Sequence, residues 1–430
     1  MHDDVTHGRR SVADHAAAVA ALAGPSLTAA RGAARVDVAT LLAQTAAGAA
    51  LAPRVLARDA VAAVALPGFD NSQMDGYAVR AADLAAATAR DPVVLPVAAP
   101  VPAGTQPPPL EPGSAAPVMT GAPVPAGADA VVKIEDADPP RFPDPRSAAS
   151  VQFAAPVAPG TFVRAAGSDV ARGDLLLAAG TPLGPPQLGA LVAAGVTAVD
   201  VAPPPHVLLV STGSELAPAG AALGPAQVHD ANGAALTAAL AQAGARVTTR
   251  VVPDRPDALR QVLADAPHDV ALVVTTGGVS AGAYEVVRQT LTDAWFGHVA
   301  VQPGGPQGLG TVDVGAGAVA RRVPLVAFPG NPVSAFVSFE LFLRPSLAAA
   351  TGAAPARRPA GRAPLAEPLD SPPALHQVRR GVLDGGRVRM SGGPGSHLLT
   401  HLAAATILVH VPPGVARLEA GDLVDYQELR

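Results

Sequence analysis

The chain has no cysteine, a single lysine and few aromatic residues (Phe 9, Tyr 3, Trp 1). Without cysteine there is no disulfide, no thiolate-held zinc or iron–sulfur cluster and no thiol nucleophile. The one lysine is Lys133, in the strand-like run Val131-Val132-Lys133-Ile134, so 29 of the 30 basic residues are arginines. No Gly-Lys-Ser/Thr occurs, which excludes a P-loop, and a kinase-type or Schiff-base lysine could only be Lys133. Charge is also sparse, at 15%, and the net charge of −5 gives no general nucleic-acid footprint. No apolar run reaches the roughly 20 residues that a membrane helix requires.

What is present is a chain of 430 residues, 49% hydrophobic, with 43 Gly and 46 Pro. That length suits two to four domains. Gly8-Arg9-Arg10-Ser11-Val12 and the Ala-rich stretch after it faintly resemble a twin-arginine export signal. Asp14 and His15 interrupt its apolar part, however, so a surface helix from Ser11 to Leu22, capped by Ser11, is the better expectation. A cytoplasmic protein follows.

Residues 1–64 read as an N-terminal tail and helical linker domain, to which 175–202 return. Residues 65–174 show short apolar runs between Pro and Gly, as a β-rich domain would. Pro203-Pro204-Pro205 marks a hinge, and 203–350 then alternate strands and helices. The expected strands are His206–Val210, Arg246–Val252, Asp269–Val274 and Val323–Phe328, continuously apolar and thus suited to a parallel, doubly wound sheet. After a second linker, 362–430 carry short strands that fit a C-terminal β-barrel. The fold class is therefore multidomain α/β plus β.

Three of those strands run into polar, glycine-containing loops: Ser211-Thr212-Gly213-Ser214-Glu215, Thr275-Thr276-Gly277-Gly278-Val279-Ser280, and Pro329-Gly330-Asn331-Pro332. Ligands of open α/β sheets bind beyond the carboxyl ends of the strands, and glycine lets backbone N–H groups approach an anion. Three such loops in one domain favour a phosphate-bearing ligand. Asp75, Asp169, Glu215, Asp254 and Glu285 stand beside Gly-containing loops and could together serve a hard divalent cation. Gly278-Val279-Ser280-Ala281-Gly282 also fits a hydrolase nucleophile elbow, with Asp293 or Asp313 and His376 or His397 completing a triad. His397 and His401 would share a helix face, but no third ligand completes a metal site.

Several segments together resemble one family: Leu66–Arg80 (LPGFDNSQMDGYAVR), Met119–Pro125 (MTGAPVP), Ser211–Glu215, Gly277–Ser280 and Pro329–Ser334 (PGNPVS). The chain is similar to the molybdopterin molybdotransferases, the gephyrin-like enzymes of molybdenum cofactor synthesis. The resemblance implies a homodimer whose cleft joins the α/β domain of one subunit to the β-rich domain of the other. It implies adenylylated molybdopterin and molybdate as substrates, AMP as a product, Mg²⁺ or a similar cation as helper, and other proteins of cofactor biosynthesis as partners. Neither nucleic acid nor membrane is expected as a partner.

Carried over by position, Asp75, Thr120, Arg164 and Asp169 would lie on the β-rich side. Glu215, Asp254 and Glu285 would lie on the α/β side, with Asp75, Thr120, Asp169 and Glu215 as catalytic groups and the last two carboxylates on the cation. Arg164, Thr212, Gly213, Ser214, Gly277, Gly278 and Ser280 would hold the pterin substrate, Pro329 and Pro332 would shape the wall, and Arg380 and Ser396 would help to hold molybdate. The chain departs from the family where lysines are usual: His298, Gln302 and Gly305 stand in the segment HVAVQPGGP, and Thr406 replaces an Asn. A cation lost from an oxyanion site would cost on the order of 2–4 kcal/mol in the transition state. The alternatives are a cofactor-binding paralogue with little insertion activity and a serine hydrolase using Ser280.

Overall fold

The computed structural model describes residues 8–29, 32–46, 54–102, 104–144, 149–279, 286–291, 293–317, 320–353, 355 and 357–429. At its centre is a six-stranded sheet in the order Arg246–Val252, His206–Thr212, Val270–Thr276, Arg321–Phe328, Pro306–Val314, Trp295–His298. The first four strands are parallel and the last two antiparallel. Every residue of His206–Thr212 and of Val270–Thr276 is buried, because helices cover both faces. Leu236 and Leu240 of helix Ala231–Gln242, with Val333 and Val337 of helix Pro332–Ser338, pack on one face. Leu259 and Leu263 of Pro256–Ala264, with Val286 and Val287, pack on the other. The unbroken helical run Pro332–Thr351 is apolar and long enough to cross a membrane, but 67% of its 18-residue apolar window is buried inside the protein.

The N-terminal helix corrects the expected domain division. Ser11 caps it, its Oγ accepting from Asp14 N–H at 3.0 Å, and it runs from Val12 to Thr28. His15, Val19, Ala23 and Leu27, spaced four apart, form a fully buried stripe. That stripe lies in the same core as Val274, Val326 and Phe342 of the α/β domain, so the helix covers the α/β sheet and is no part of the linker. Among the described residues of 32–64, strands stand beside a single helix where a helical linker was expected. Ala34–Asp37 pairs antiparallel with Ala198–Val201, helix Val38–Ala46 follows, and Ala60–Val61 pairs with Leu175–Leu177. In so Ala-rich a segment apolar residues recur at every spacing, and periodicity cannot separate strand from helix.

The β-rich part contains the sheets Ala116–Val118/Gly76–Val79/Ala130–Lys133 and Val93–Pro96/Ser150–Phe153/Ala137–Asp138. A Cβ on Gly76 would lie 2.0 Å from the carbonyl oxygen of Val132, which explains the glycine of the Met74-Asp75-Gly76-Tyr77 segment. In the C-terminal part, His376–Asp384, Ile407–Val411, Leu423–Glu428 and Ala360–Pro364 pair in turn. Arg387–Met390 joins the first of them, and the bridge from Leu365 to Val388 closes the ring. Val301–Gln302 adds to this sheet as well, pairing with His376–Gln377. The segment 298–306 is thereby held between the α/β domain and the barrel.

Candidate active site

The loops at the carboxyl ends of the parallel strands hold one another. Thr212 Oγ1 donates to Thr276 O at 3.1 Å, and Gly277 N–H donates to Phe328 O at 3.1 Å. Gly277 and Gly278 have φ of +85° and +64°, and a Cβ on Gly277 would sit 2.7 Å from Thr212 O. Glycine is therefore required at Gly277 on both counts. Ser214 and Asp254 form a reciprocal pair: Ser214 N–H donates to Asp254 Oδ2 at 3.0 Å, and Asp254 N–H donates to Ser214 Oγ at 3.1 Å. Glu215 is exposed beside them, its carboxylate turned back over Gly213. Asp230 caps helix Ala231–Gln242, and the buried Asn232 in its first turn donates to Gly330 O at 2.7 Å.

The Pro329–Asn331 loop is one wall of a cleft of about 390 Å³. Gln302, Pro303, Gly304 and Pro306 form a second wall, with Ser334 beside them, and Pro394, Gly395 and Ser396 of the barrel form the third. The barrel loop is docked by Val333 N–H donating to Ser396 O at 3.2 Å. Beneath it lie two buried arginines. Arg380 donates to the carbonyls of Gly393 and Gly395, and Arg379 to that of Gly392. The Nε of each has no partner among the described residues. Burial lowers both guanidinium pKa values, and Arg379 lowers that of Arg380 further. Arg379 also feels the carboxylate of Glu367, whereas Arg380, bonded to carbonyls behind the Gly393–Gly395 loop, brings a buried positive charge next to the cleft wall. At Gly305 an added Cβ would make only ordinary contacts, at 3.5–3.7 Å.

Asp75 and Thr120 form a separate constellation in the β-rich part. Asp75 Oδ1 accepts from the backbone N–H of Thr120 at 2.7 Å and from its hydroxyl at 2.9 Å. These bonds, the backbone one first, hold the carboxyl below its usual 3.8. Strand Val163–Arg164 pairs with Asn71–Ser72, and Arg164 Nη1 reaches Asn71 Oδ1 at 3.5 Å. Asp169 is fixed through its backbone N–H to Leu66 O at 2.9 Å. None of these residues lines the cleft below Pro329.

Thr212, Gly213, Ser214, Glu215, Asp254, Gly277 and Gly278 thus stand together, and Pro329 and Ser396 meet at the neighbouring cleft, with Arg380 bonded behind its barrel wall. Pro332 opens the helix behind it. Ser280 and Glu285 lie outside the described residues. Among the described residues no group of three His, Asp or Glu side chains converges as a metal cage. Of the hydrolase candidates, Asp293 pairs with Arg322 at 3.2 Å and His376 with His410 at 3.0 Å. Sequence reasoning missed Arg379, Asn232 and Gln307. Asn232 follows the capping Asp230, a helix-start signal, whereas Gln307 sits in a glycine-rich strand with no local mark.

An α/β domain whose strand-end loops share a cleft with a loop of a following barrel, beside a separate β-rich domain, defines the architecture of a multidomain enzyme. The chain belongs to the MoeA family. Residues 11–195 match the MoeA N-terminal region (domain I and II), 208–349 a probable molybdopterin binding domain, and 362–429 the MoeA C-terminal region (domain IV). It is 42% identical to molybdopterin molybdenumtransferase 2 of Mycobacterium tuberculosis, over 87% of this chain and 92% of that protein. It is 35% identical to the molybdopterin molybdenumtransferase of Synechococcus elongatus, with the same coverage of 87% and 92%. A crystal structure of a molybdopterin biosynthesis moea protein from Pyrococcus horikosii superposes with a TM-score of 0.73 at 28% identity, covering 98% of this chain and 99% of that one.

Proposed function

We propose that this chain is a molybdopterin molybdenumtransferase, which inserts molybdate into adenylylated molybdopterin and releases AMP. The observation that carries the reading is the cleft between the α/β loops and the barrel, whose Pro394–Ser396 wall is held from behind by the buried Arg380. Cleaving a phosphoanhydride beside an incoming oxyanion gathers negative charge in one place, and preorganised donors and cations answer it. Thr212, Gly213, Ser214, Gly277 and Gly278 receive the phosphate-bearing pterin, with Ser280 continuing that loop, while Arg380 and Ser396 receive molybdate. Asp75, Thr120, Asp169 and Glu215 act at the reacting groups, with Arg164 supporting them. Asp254 and Glu285 supply hard oxygen donors of the kind Mg²⁺ takes, and the Ser214–Asp254 pair presents such oxygens. A bound divalent cation would neutralise phosphate charge there. The dithiolene sulfurs that receive the metal come from the pterin, so the lack of cysteine is no obstacle. The working unit is a cytoplasmic homodimer that exchanges cofactor with other proteins of the same biosynthesis.

The test is reconstitution. Purified protein is given adenylylated molybdopterin, molybdate and Mg²⁺, and AMP release and active cofactor are measured. Stoichiometric AMP and cofactor are expected. Tight pterin binding without AMP release would replace this reading with that of a cofactor-binding paralogue.

A further inference from the structure

We infer that Gln307 and Gln377 are positioning residues that set the geometry of the Gln302–Pro306 wall, and with it the molybdate end of the cleft. The inference rests on the transferase reading above. Gln307 is completely buried in strand Pro306–Val314. Its Nε2 donates both to Gly304 O and to Ser338 Oγ, each at 2.7 Å. Ser338 ends the helix that begins at Pro332, so a single amide links two walls of the cleft from behind. Gly304 has φ +105°, and a Cβ there would lie 3.1 Å from Ser338 Oγ, so the loop passes close over this amide. At the other end of the wall, the buried Gln377 of the barrel donates to Gln302 Oε1 at 2.8 Å.

Both glutamines leave their own Oε1 without a partner among the described residues. Burying an unpaired amide oxygen is unfavourable, and packing alone would be served better by leucine. What the amides provide in return is donor geometry toward one loop. The loop needs it, because Gln302 and Gly305 bring no charge of their own to an anion. Its neutral dipoles act only if they are held in place.

Gln307→Leu keeps the volume and removes both bonds, whereas Ser338→Ala removes only the helix link. In Gln307→Leu, hydrogen exchange of the amides at Gln302, Gly304 and Gly305 is expected to accelerate about tenfold. The KM for molybdate is expected to rise about tenfold while that for adenylylated molybdopterin stays within about twofold. Ser338→Ala, which keeps the bond to Gly304, should raise the molybdate KM by a smaller factor than Gln307→Leu, and Gln377→Leu should repeat the molybdate effect if Gln307→Leu does not fold. Unchanged loop exchange, or two KM values that rise together, overturns the inference. Should the wild type release no AMP, the transferase reading fails by itself. Molybdate affinity by equilibrium dialysis, compared between wild type and Gln307→Leu, then decides the role of the tether.

Discussion

At the scale of single residues, the Asp75–Thr120 pair makes the sharpest demand. The Asp75 carboxyl is held below 3.8 chiefly by the Thr120 backbone N–H and secondarily by its hydroxyl. A depressed carboxylate pKa means that the charged form is present at neutral pH and is lost only as pH falls through the folded value. Thr120→Ala removes the hydroxyl bond and keeps the backbone one. The acid limb of the pH–rate profile for AMP release should therefore move to higher pH, with a small effect at neutrality. Asp75→Asn, which abolishes the charge at every pH, should lower kcat about 100-fold or more and leave no acid limb. An Asn variant with the wild-type profile would remove Asp75 from the chemistry.

At the scale of elements, the N-terminal helix is held by a polar–aromatic cluster. The Arg10 guanidinium stacks 3.8 Å from the Trp295 ring, and His15 lies buried against Trp295 and Phe342. The Arg10 backbone also bonds to His298 O and Ala300 N–H, placing this segment along residues 298–300. Burial first, then the Arg10 charge, lowers the His15 pKa from 6.5 to about 4. The unfolded chain therefore takes up this proton first as pH falls. Stability should drop between pH 6.5 and about 4 and then level off with respect to this group, a change of about 3 kcal/mol. His410, also lowered to about 4, adds to the same slope. His15→Leu should flatten the fall of Tm across that window, and an unchanged slope in that variant would acquit His15. The helix itself was legible in the sequence, since Ser11, Asp14 and the four-residue spacing are local signals. Its burial partner was not, because nothing in Val19 or Leu27 tells a linker from a sheet 250 residues away. The parallel strands were legible for the opposite reason: an unbroken run such as Val270–Val274 can be satisfied only between two layers. The antiparallel strands Trp295–His298 and Pro306–Val314 were missed, because their glycines break the apolar pattern. The strand-end glycine loops were visible because close backbone approach demands glycine. The buried amides and Arg379 were not, because their meaning comes from partners far away in the chain.

At the scale of the whole molecule, the proposed active residues fall into two groups on different domains. Asp75 and Thr120 belong to the β-rich part, while Glu215, Asp254 and the cleft beside Pro329 belong to the α/β domain and barrel. No described pocket of one chain is lined by both groups. If the reaction needs both, a homodimer that sets the β-rich face of one subunit against the α/β face of its partner completes two equivalent sites. Mixed dimers then separate the two arrangements. Asp75→Asn and Glu215→Gln proteins, each inactive alone, are unfolded together and refolded at equal concentration. Half of the dimers would carry one of each chain. With sites shared between subunits, such a dimer holds one doubly substituted site and one intact site, and the mixture should recover about a quarter of wild-type AMP release. With each site contained in one chain, every site retains a substitution and mixing recovers nothing.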